Sequence, residues 1–543
     1  MPNSVSRRAF LQGTLAAGAI AATASLVGCK EDGTVSAEGG SAVNINWTET
    51  ADIIVVGGGG AGCSCALAAG EGGASVILLE SSSALGGCTA LAVGSLTTPG
   101  SKMQAAKGIT DSAEAYLEDA KHHSLDANAV ERAGEDWAIF ELQAKEGGKT
   151  IDWLVDHDVT FNGPLPYPGH TNDRMHMLTP NTSYWPTVIG PKIEAAGGKI
   201  LLNTKGVELI TDNGRVIGVK AIDQITQQES FYQGTKAVYI ATASIDGSYD
   251  MKIKTYADPA IARIDAACAF NDASGLNMCQ KIGADLYGWD SPAGGSMRCQ
   301  APSVNVGVYG KQSWMPYGMV TAGAIMVNKQ GKRYASEDIN GINMCIAVDK
   351  LPERQAYMVY DDTVAQLFQV FPDMVVSSCP EIGWGTVDDF LENGSIRKAN
   401  TLEEVATLAG VDPAGLAAEV AKYNGYAQAG SDPDFGRKVF GVADAGTLNK
   451  GLTTPPYYIH GPQKGEVTSA SLTLCITVDF EVKDVFGDVI PGLYAGGNAG
   501  KGKGVAFRFV NRVYPDAQCV FSHSQSISFL FFFVAGACVL CAL

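Results

Sequence analysis

The residues best placed to do chemistry in this chain are Gly57, Gly59 and Gly62, in a Gly-x-Gly-x-x-Gly arrangement, and Glu80, about twenty positions on. Glycines at this spacing permit a tight turn and let the main chain approach a pyrophosphate. A helix N-terminus behind them offers unpaired N–H groups and partial positive charge, and a carboxylate further on accepts from ribose hydroxyls. The elements that must position these residues are also present. Asp52 to Val56 reads as a short, fully buried strand that runs into the glycines. Ala61 to Ala69 is small and apolar enough for a helix packed tightly on a sheet, and Ala74 to Leu79 is a second apolar run that ends at Glu80. Strand, glycines, helix, strand and acid in this order predict a dinucleotide site. The predicted set comprises Gly57, Gly59, Gly60, Ala61, Gly62, Glu80 and Ser81.

The following residues narrow the ligand. Gly86 and Gly87, in Leu85-Gly-Gly-Cys-Thr89, would let the chain fold back along a cofactor that continues past its adenosine half, which adds Gly86, Gly87 and Thr89 to the set. With these landmarks the chain resembles the flavoprotein family of soluble fumarate reductases, succinate dehydrogenase flavoprotein subunits and 3-oxosteroid dehydrogenases. The likeness runs over roughly residues 50–510. Its further landmarks are Arg174-Met-His176, Asn203-Thr-Lys-Gly-Val207, Gly214-Arg-Val-Ile-Gly-Val219 and Lys236-Ala-Val-Tyr-Ile-Ala241-Thr242. Val327-Asn-Lys-Gln-Gly-Lys-Arg-Tyr334 and Ile490-Pro-Gly-Leu-Tyr-Ala-Gly-Gly497-Asn498 complete the series. The resemblance implies FAD as the cofactor and adds Val207, Ala241, Thr242, Gly497 and Asn498 to its binding residues. Asn498 stands where relatives place a glutamate, and an amide makes the same kind of hydrogen bond.

In that family a flavin exchanges hydride with one carbon of a carbon–carbon bond, and a nearby acid serves the other carbon. The fumarate reductase machinery, carried over position by position, is mostly replaced here. Its proton-delivering arginine falls at Gly341, its glutamate and arginine feeders at Tyr317 and Val320, and one carboxylate-binding histidine at Ser469. A carboxylate-binding arginine survives as Arg508. Tyr309 and Tyr317, in the loop from Val308 to Gly318, are candidate proton donors, and the 3-oxosteroid dehydrogenases resemble this chain in using tyrosines. Catalytic expectations therefore rest on Arg508, Tyr317 and Tyr309. Each tyrosine reads more simply as an aromatic packing residue, Arg333 and Glu337 as a structural pair, and His122-His123 as a solvated helix face. His176 is a candidate for a place near the flavin.

Composition bounds the rest. A net charge of −18 excludes nucleic acid as a partner and offers no basic patch to anionic lipid. Thirteen cysteines are scattered, with no two Cys-x-x-Cys motifs at zinc spacing and no Cys-x-x-Cys-His for haem, so no metal and no haem are expected. Electrons must then come from a separate electron-transfer protein or quinol-linked partner. Ser6-Arg7-Arg8-Ala9-Phe10-Leu11 followed by an alanine-rich apolar segment reads as a twin-arginine export signal. Leu26-Val27-Gly28-Cys29 resembles a bacterial lipobox, which would leave the protein lipid-anchored through Cys29 on the outer face of the cytoplasmic membrane; plain signal cleavage nearby is the alternative. The uncharged run from Ile527 to Leu543 has three readings: a tail anchor, a buried helix, or an aberrant reading frame.

The expected organisation is an export signal at 1–29, a tether at 30–48 and an FAD-binding domain at 49–289 and 441–518. A capping domain occupies 290–440 and an atypical tail 519–543. The fold class is α/β: a Rossmann-like FAD-binding domain, a mixed parallel sheet with helices, into which an α+β capping domain is inserted. The leading functional expectation is an FAD-dependent oxidoreductase that reduces or desaturates a carbon–carbon bond beside an electron-withdrawing group, with an unsaturated acid or enone as its small-molecule partner. A 3-oxosteroid-type dehydrogenase and a non-catalytic or damaged FAD-binding surface lipoprotein are the alternatives.

Overall fold

The computed structural model describes residues 45–500, apart from 92–94, 124–133, 166–169, 180–183, 267, 289–293, 301–311, 315–321, 338, 340, 371–386, 393, 442–445 and 470–471. Its first layer grows from the opening strand. β1 (Glu49–Val56) leads into helix α1 (Gly60–Glu71), then β2 (Val76–Leu79) and the short helix α2 (Gly87–Leu91). Later stretches add β3 (Lys199–Leu201), β4 (Thr204–Asp212), β5 (Arg215–Asp223), β6 (Glu229–Ile240), β7 (Glu481–Lys483) and β8 (Val489–Ala495). The strand order is β7-β8-β6-β1-β2-β3, with β5 pairing β6 and β4 pairing β5.

The five strands β8, β6, β1, β2 and β3 run parallel. Parallel strands covered on both faces read as continuous apolar runs, and Ile53, Ile54, Val55 and Ala237 to Ile240 are all fully buried. The β4–β5 hairpin turns at Asn213 and Gly214, both at positive φ (48° and 77°), which matches the right-handed twist of the flanking strands.

A seven-stranded, mostly antiparallel sheet forms the second layer. Its spine is the long strand Tyr457–Ser469, which pairs with Gly294–Gln300, Ala356–Asp361 and Ile396–Ala399. Asp265–Ala266 pairs with the same spine in parallel. This sheet therefore takes strands from both sides of the 290–440 segment as well as from within it. The chain segments that leave and re-enter the first layer lie side by side there.

Two capped helices follow: Leu402–Ala409, with Thr401 accepting from Glu404 N at 3.2 Å, and Pro413–Ala429, with Asp412 accepting from Ala414 N at 3.1 Å. Beneath them, Arg333 bonds Glu337 at 2.8 and 2.5 Å and Asp432 at 2.9 Å, all with fully buried side chains. Arg333 and Glu337 are thus part of a structural ion cluster. No helix among the described residues is long and apolar enough to cross a membrane.

A third, three-stranded sheet (Ser95–Thr97, Thr160–Leu165, Met175–Thr179) is tied to the helix Ala113–His123 and its surroundings by Arg174. The guanidinium is fully buried. It forks onto Asp111 at 2.6 and 2.7 Å and also bonds Asp119.

Candidate functional site

The glycine turn after β1 is shaped by contacts that leave no room for a side chain. Gly57 has a φ of +107°, and a Cβ there would sit 2.5 Å from the Ala241 carbonyl oxygen. A Cβ on Gly62 would lie 1.8 Å from the carbonyl oxygen of Gly57. At Gly59 the same construction meets only Gly86 O, at 3.8 Å, so the space beside it is open. Gly86 (φ +128°) and Gly87 (φ +46°) turn the chain back against the loop. Gly86 N donates to Gly58 O at 2.9 Å, and Gly86 forms a bridge with Gly59.

Glu80, buried at the end of β2, braces this turn. Its carboxylate accepts from Gly58 N at 2.6 Å, from Ser82 N at 2.8 Å and from the Ser81 hydroxyl at 3.3 Å. A carboxylate has about four lone-pair sites, so one remains for a further donor. Thr89 accepts from Gly60 N at 3.1 Å and ties α2 to the first turn of α1. The remaining first-turn N–H groups of α1 have no intrahelical acceptors, as at any helix start.

These residues open onto one cleft. Gly57, Gly59, Gly60, Ala61, Glu80 and Ser81 line one side, with Gly87 and Thr89 beside them. Ala241, Thr242, Gly497 and Asn498 also line the cleft, at the ends of the parallel neighbours β6 and β8, with Ala241 directly beside Gly57. Of the other predicted cofactor residues, Gly62 packs on Gly57 and Gly86 supports Gly59, both behind the lining. Val207 is not on the lining, and its neighbours Thr204, Lys205 and Gly206 line the cleft instead. The hydroxyl of Thr242 and the amide oxygen of Asn498 are buried without a protein partner. Buried polar atoms normally have partners, and both of these belong to residues on the cleft. Open space beside Gly59 at a helix start, a carboxylate with one acceptor site left and the unpartnered amide oxygen of Asn498 fit an elongated dinucleotide.

Sequence reasoning missed the wall formed by Cys268, Phe270, Asn271, Asp272 and Ser274. Asp272 pairs with Lys205 and accepts from Ser274 N at 2.9 Å. Burial opposes its charge, but the bonds from Lys205 and Ser274 prevail and hold its carboxyl below the usual range. The one local signal was Asp272 two residues ahead of a helix-starting Ser274, the pattern of an Asx turn.

His176 lies elsewhere, fully buried in the third sheet. Its Nδ1 faces Leu96 O at 3.2 Å and its Nε2 faces the Ser101 hydroxyl at 2.7 Å. A carbonyl only accepts, so Nδ1 carries the proton and Ser101 donates to Nε2. Burial pushes this imidazole below its ordinary range, and its role is structural. Tyr309, Tyr317, Arg508 and Cys29 lie outside the described residues. Gly341 is the first residue of the helix Gly341–Asp349, and Ser469 ends the spine strand. No cluster of three or more His, Cys, Asp or Glu suited to a metal ion occurs among the described residues.

Comparison with known proteins places the cleft in context. The family model described as the FAD binding domain matches residues 52–510. A urocanate reductase of Eggerthella lenta is 29% identical over 471 residues, covering 83% of this chain and 70% of that one. The open conformation of a flavocytochrome c3 fumarate reductase superposes with a TM-score of 0.68 at 22% identity, covering 88% of this chain and 78% of that one. A 3-ketosteroid Δ1-dehydrogenase from Sterolibacterium denitrificans superposes with a TM-score of 0.62 at 18% identity, covering 86% and 100%.

Proposed function

The chain belongs to the FAD binding domain family, and from that premise we propose that it is an FAD-dependent oxidoreductase acting on a carbon–carbon bond next to an electron-withdrawing group, running as a reductase. The observation that carries this reading is the cleft, in which the glycine turn, Glu80, Thr242 and Asn498 converge. Bound FAD supplies hydride exchange with carbon, which no side chain provides. The chain's own contribution begins with binding. The α1 N-terminus favours the pyrophosphate, Glu80 has an acceptor site for a ribose hydroxyl, and Asn498 offers an amide along the remaining length.

For the acceptor, position 341 decides most. A glycine there holds no proton donor, and Ser469 replaces a carboxylate-gripping histidine, so a small dicarboxylate lacks its usual partners. We assign proton delivery to Tyr317 or Tyr309 and carboxylate or carbonyl binding to Arg508, with an unsaturated acid or an enone as substrate. The urocanate reductase supports the acid; the steroid dehydrogenase likeness supports only a shared fold. We further propose twin-arginine export and lipid anchoring at Cys29. An exported flavoenzyme is cut off from cytoplasmic nicotinamides, so a membrane-linked electron-transfer protein or quinol-linked partner would feed it.

Anaerobic reoxidation of the photoreduced protein tests this reading. Monocarboxylic enoates or cyclic enones should return the oxidised flavin spectrum about tenfold faster than fumarate does. Fastest reoxidation by fumarate, or none by any enoate or enone, would refute it. Tyr317→Phe should lower kcat, whereas Arg508→Ala should raise KM for acids more than for enones.

A further inference from the structure

His157 directly follows the helix Gly134–Asp156, and both of its ring nitrogens face acceptors. Nδ1 lies 2.7 Å from the Trp153 carbonyl oxygen, and Nε2 lies 2.6 Å from an oxygen of Glu71, the last residue of α1. A carbonyl only accepts, so Nδ1 carries a proton. The second contact holds one too, because two lone pairs would otherwise meet at 2.6 Å. An ionised carboxylate only accepts, which leaves that proton on Nε2 and makes the ring an imidazolium. His176 is the contrast within the same chain: a hydroxyl donates to its Nε2, and it stays neutral.

The surroundings favour the same charge. The Trp153 carbonyl also accepts from His157 N at 2.9 Å and belongs to the last helical turn, the negative end of the helix dipole. Two more charges stand near the ring. Lys192, on the helix Tyr184–Ala195, opposes the imidazolium, but it is paired at 2.5 Å with Asp158, whose carboxylate favours it. Burial works against the charge, yet the bonds to Glu71 and Trp153 and the Glu71 carboxylate prevail over it and over Lys192, and hold the imidazole above its ordinary range. The side chains of His157 and Glu71 are 16% and 37% exposed, so water reaches the contact and the proton can leave.

We propose that His157 is a proton-operated clasp that fastens the far end of the cofactor helix α1 to the helix Gly134–Asp156. Charged, the ring has a donor for each of its two acceptors. Uncharged, it has one donor for two acceptors, and one contact fails. The stabilisation is therefore complete below about pH 6.5, the ordinary histidine value, and is lost as the pH climbs through the higher folded value. α1 presents its other end to the cleft, so mildly alkaline solution loosens the helix at the end away from the glycine turn. The clasp works in the same way whichever acceptor the enzyme reduces.

The test titrates the full-length protein, carbon-13-labelled in its histidine rings, by NMR from about pH 5 to about pH 10. Of the seven histidines, the one whose signal disappears in His157→Gln should titrate with a midpoint above about 6.5. Glu71→Gln should lower the proton affinity of that histidine about tenfold. The wild type's lead in Tm over His157→Gln should shrink between about pH 6 and about pH 9. Its slower amide exchange at Gly72 to Ala74, whose N–H groups close the end of α1, should be lost over the same range. A midpoint at or below the ordinary value, no response to Glu71→Gln, or a Tm lead independent of pH would overturn the proposal. Should His157→Gln not fold, the signal that Glu71→Gln moves identifies the residue, and its wild-type midpoint decides.

Discussion

Gly57 and Glu80 show how single residues set the site. Gly57 is held at a φ of +107° against the Ala241 carbonyl. Gly57→Ala should cost about 1–3 kcal/mol from backbone strain alone, and the forced shift of the β6 end should abolish flavin retention after gel filtration. Glu80 is both brace and ligand, since three protein donors already occupy its carboxylate. Glu80→Gln keeps the shape but removes the charge that strengthens those bonds. FAD affinity should fall about tenfold, or about 1.4 kcal/mol, measured by flavin fluorescence on titrating apoprotein. Unchanged affinity would remove Glu80 from the site. Gly57 and Gly62 were legible in the sequence because their positions have no room for a Cβ, and Glu80 because it ends the second apolar run about twenty residues on. The wall at 268–274 was not, since its residues meet the cleft only through tertiary folding and carry no spacing rule.

The scale of elements shows a similar division. The β4–β5 hairpin carries a local signature in Asn213-Gly214, because a two-residue turn with both φ values positive selects that pair. The parallel strands announced themselves as unbroken apolar runs. Arg174 did not, because its partners Asp111 and Asp119 lie far upstream and nothing local pairs them. Arg174→Met should leave two buried carboxylates uncompensated and cost about 3–5 kcal/mol in chemical denaturation. The pH dependence follows from the same contact. Burial works against the Asp111 and Asp119 charges, but the bonds from Arg174 and neighbouring donors win and lower both carboxyls. Their contribution is thus present above the unfolded carboxyl range, about pH 4, and is lost as pH falls through the still lower folded values. The wild-type Tm should therefore drop further between pH 5 and pH 3 than that of Asp111→Asn; equal drops would contradict the assignment.

Considered whole, the molecule is a nucleotide-binding sheet with a second sheet whose spine strand, Tyr457–Ser469, lies beyond the segment read as the cap. Antiparallel pairing across such distances leaves no mark in local sequence, which is why the 290–440 segment was read as a capping domain from the family resemblance and not from its own strand pattern. The N-terminal signal belongs to this scale as well. Replacing Arg7 and Arg8 by lysine should retain precursor in the cytoplasm, read by fractionation; unchanged export would reject the twin-arginine proposal. Central to all of this is a dinucleotide gripped by the turn at 57–62. Absorbance of the purified full-length protein, with its flavin extracted and quantified, tests that grip directly. The account predicts oxidised-flavin bands with about one FAD per chain in the wild type and a colourless Gly57→Ala variant. A wild-type protein that stays colourless after incubation with excess FAD would contradict it.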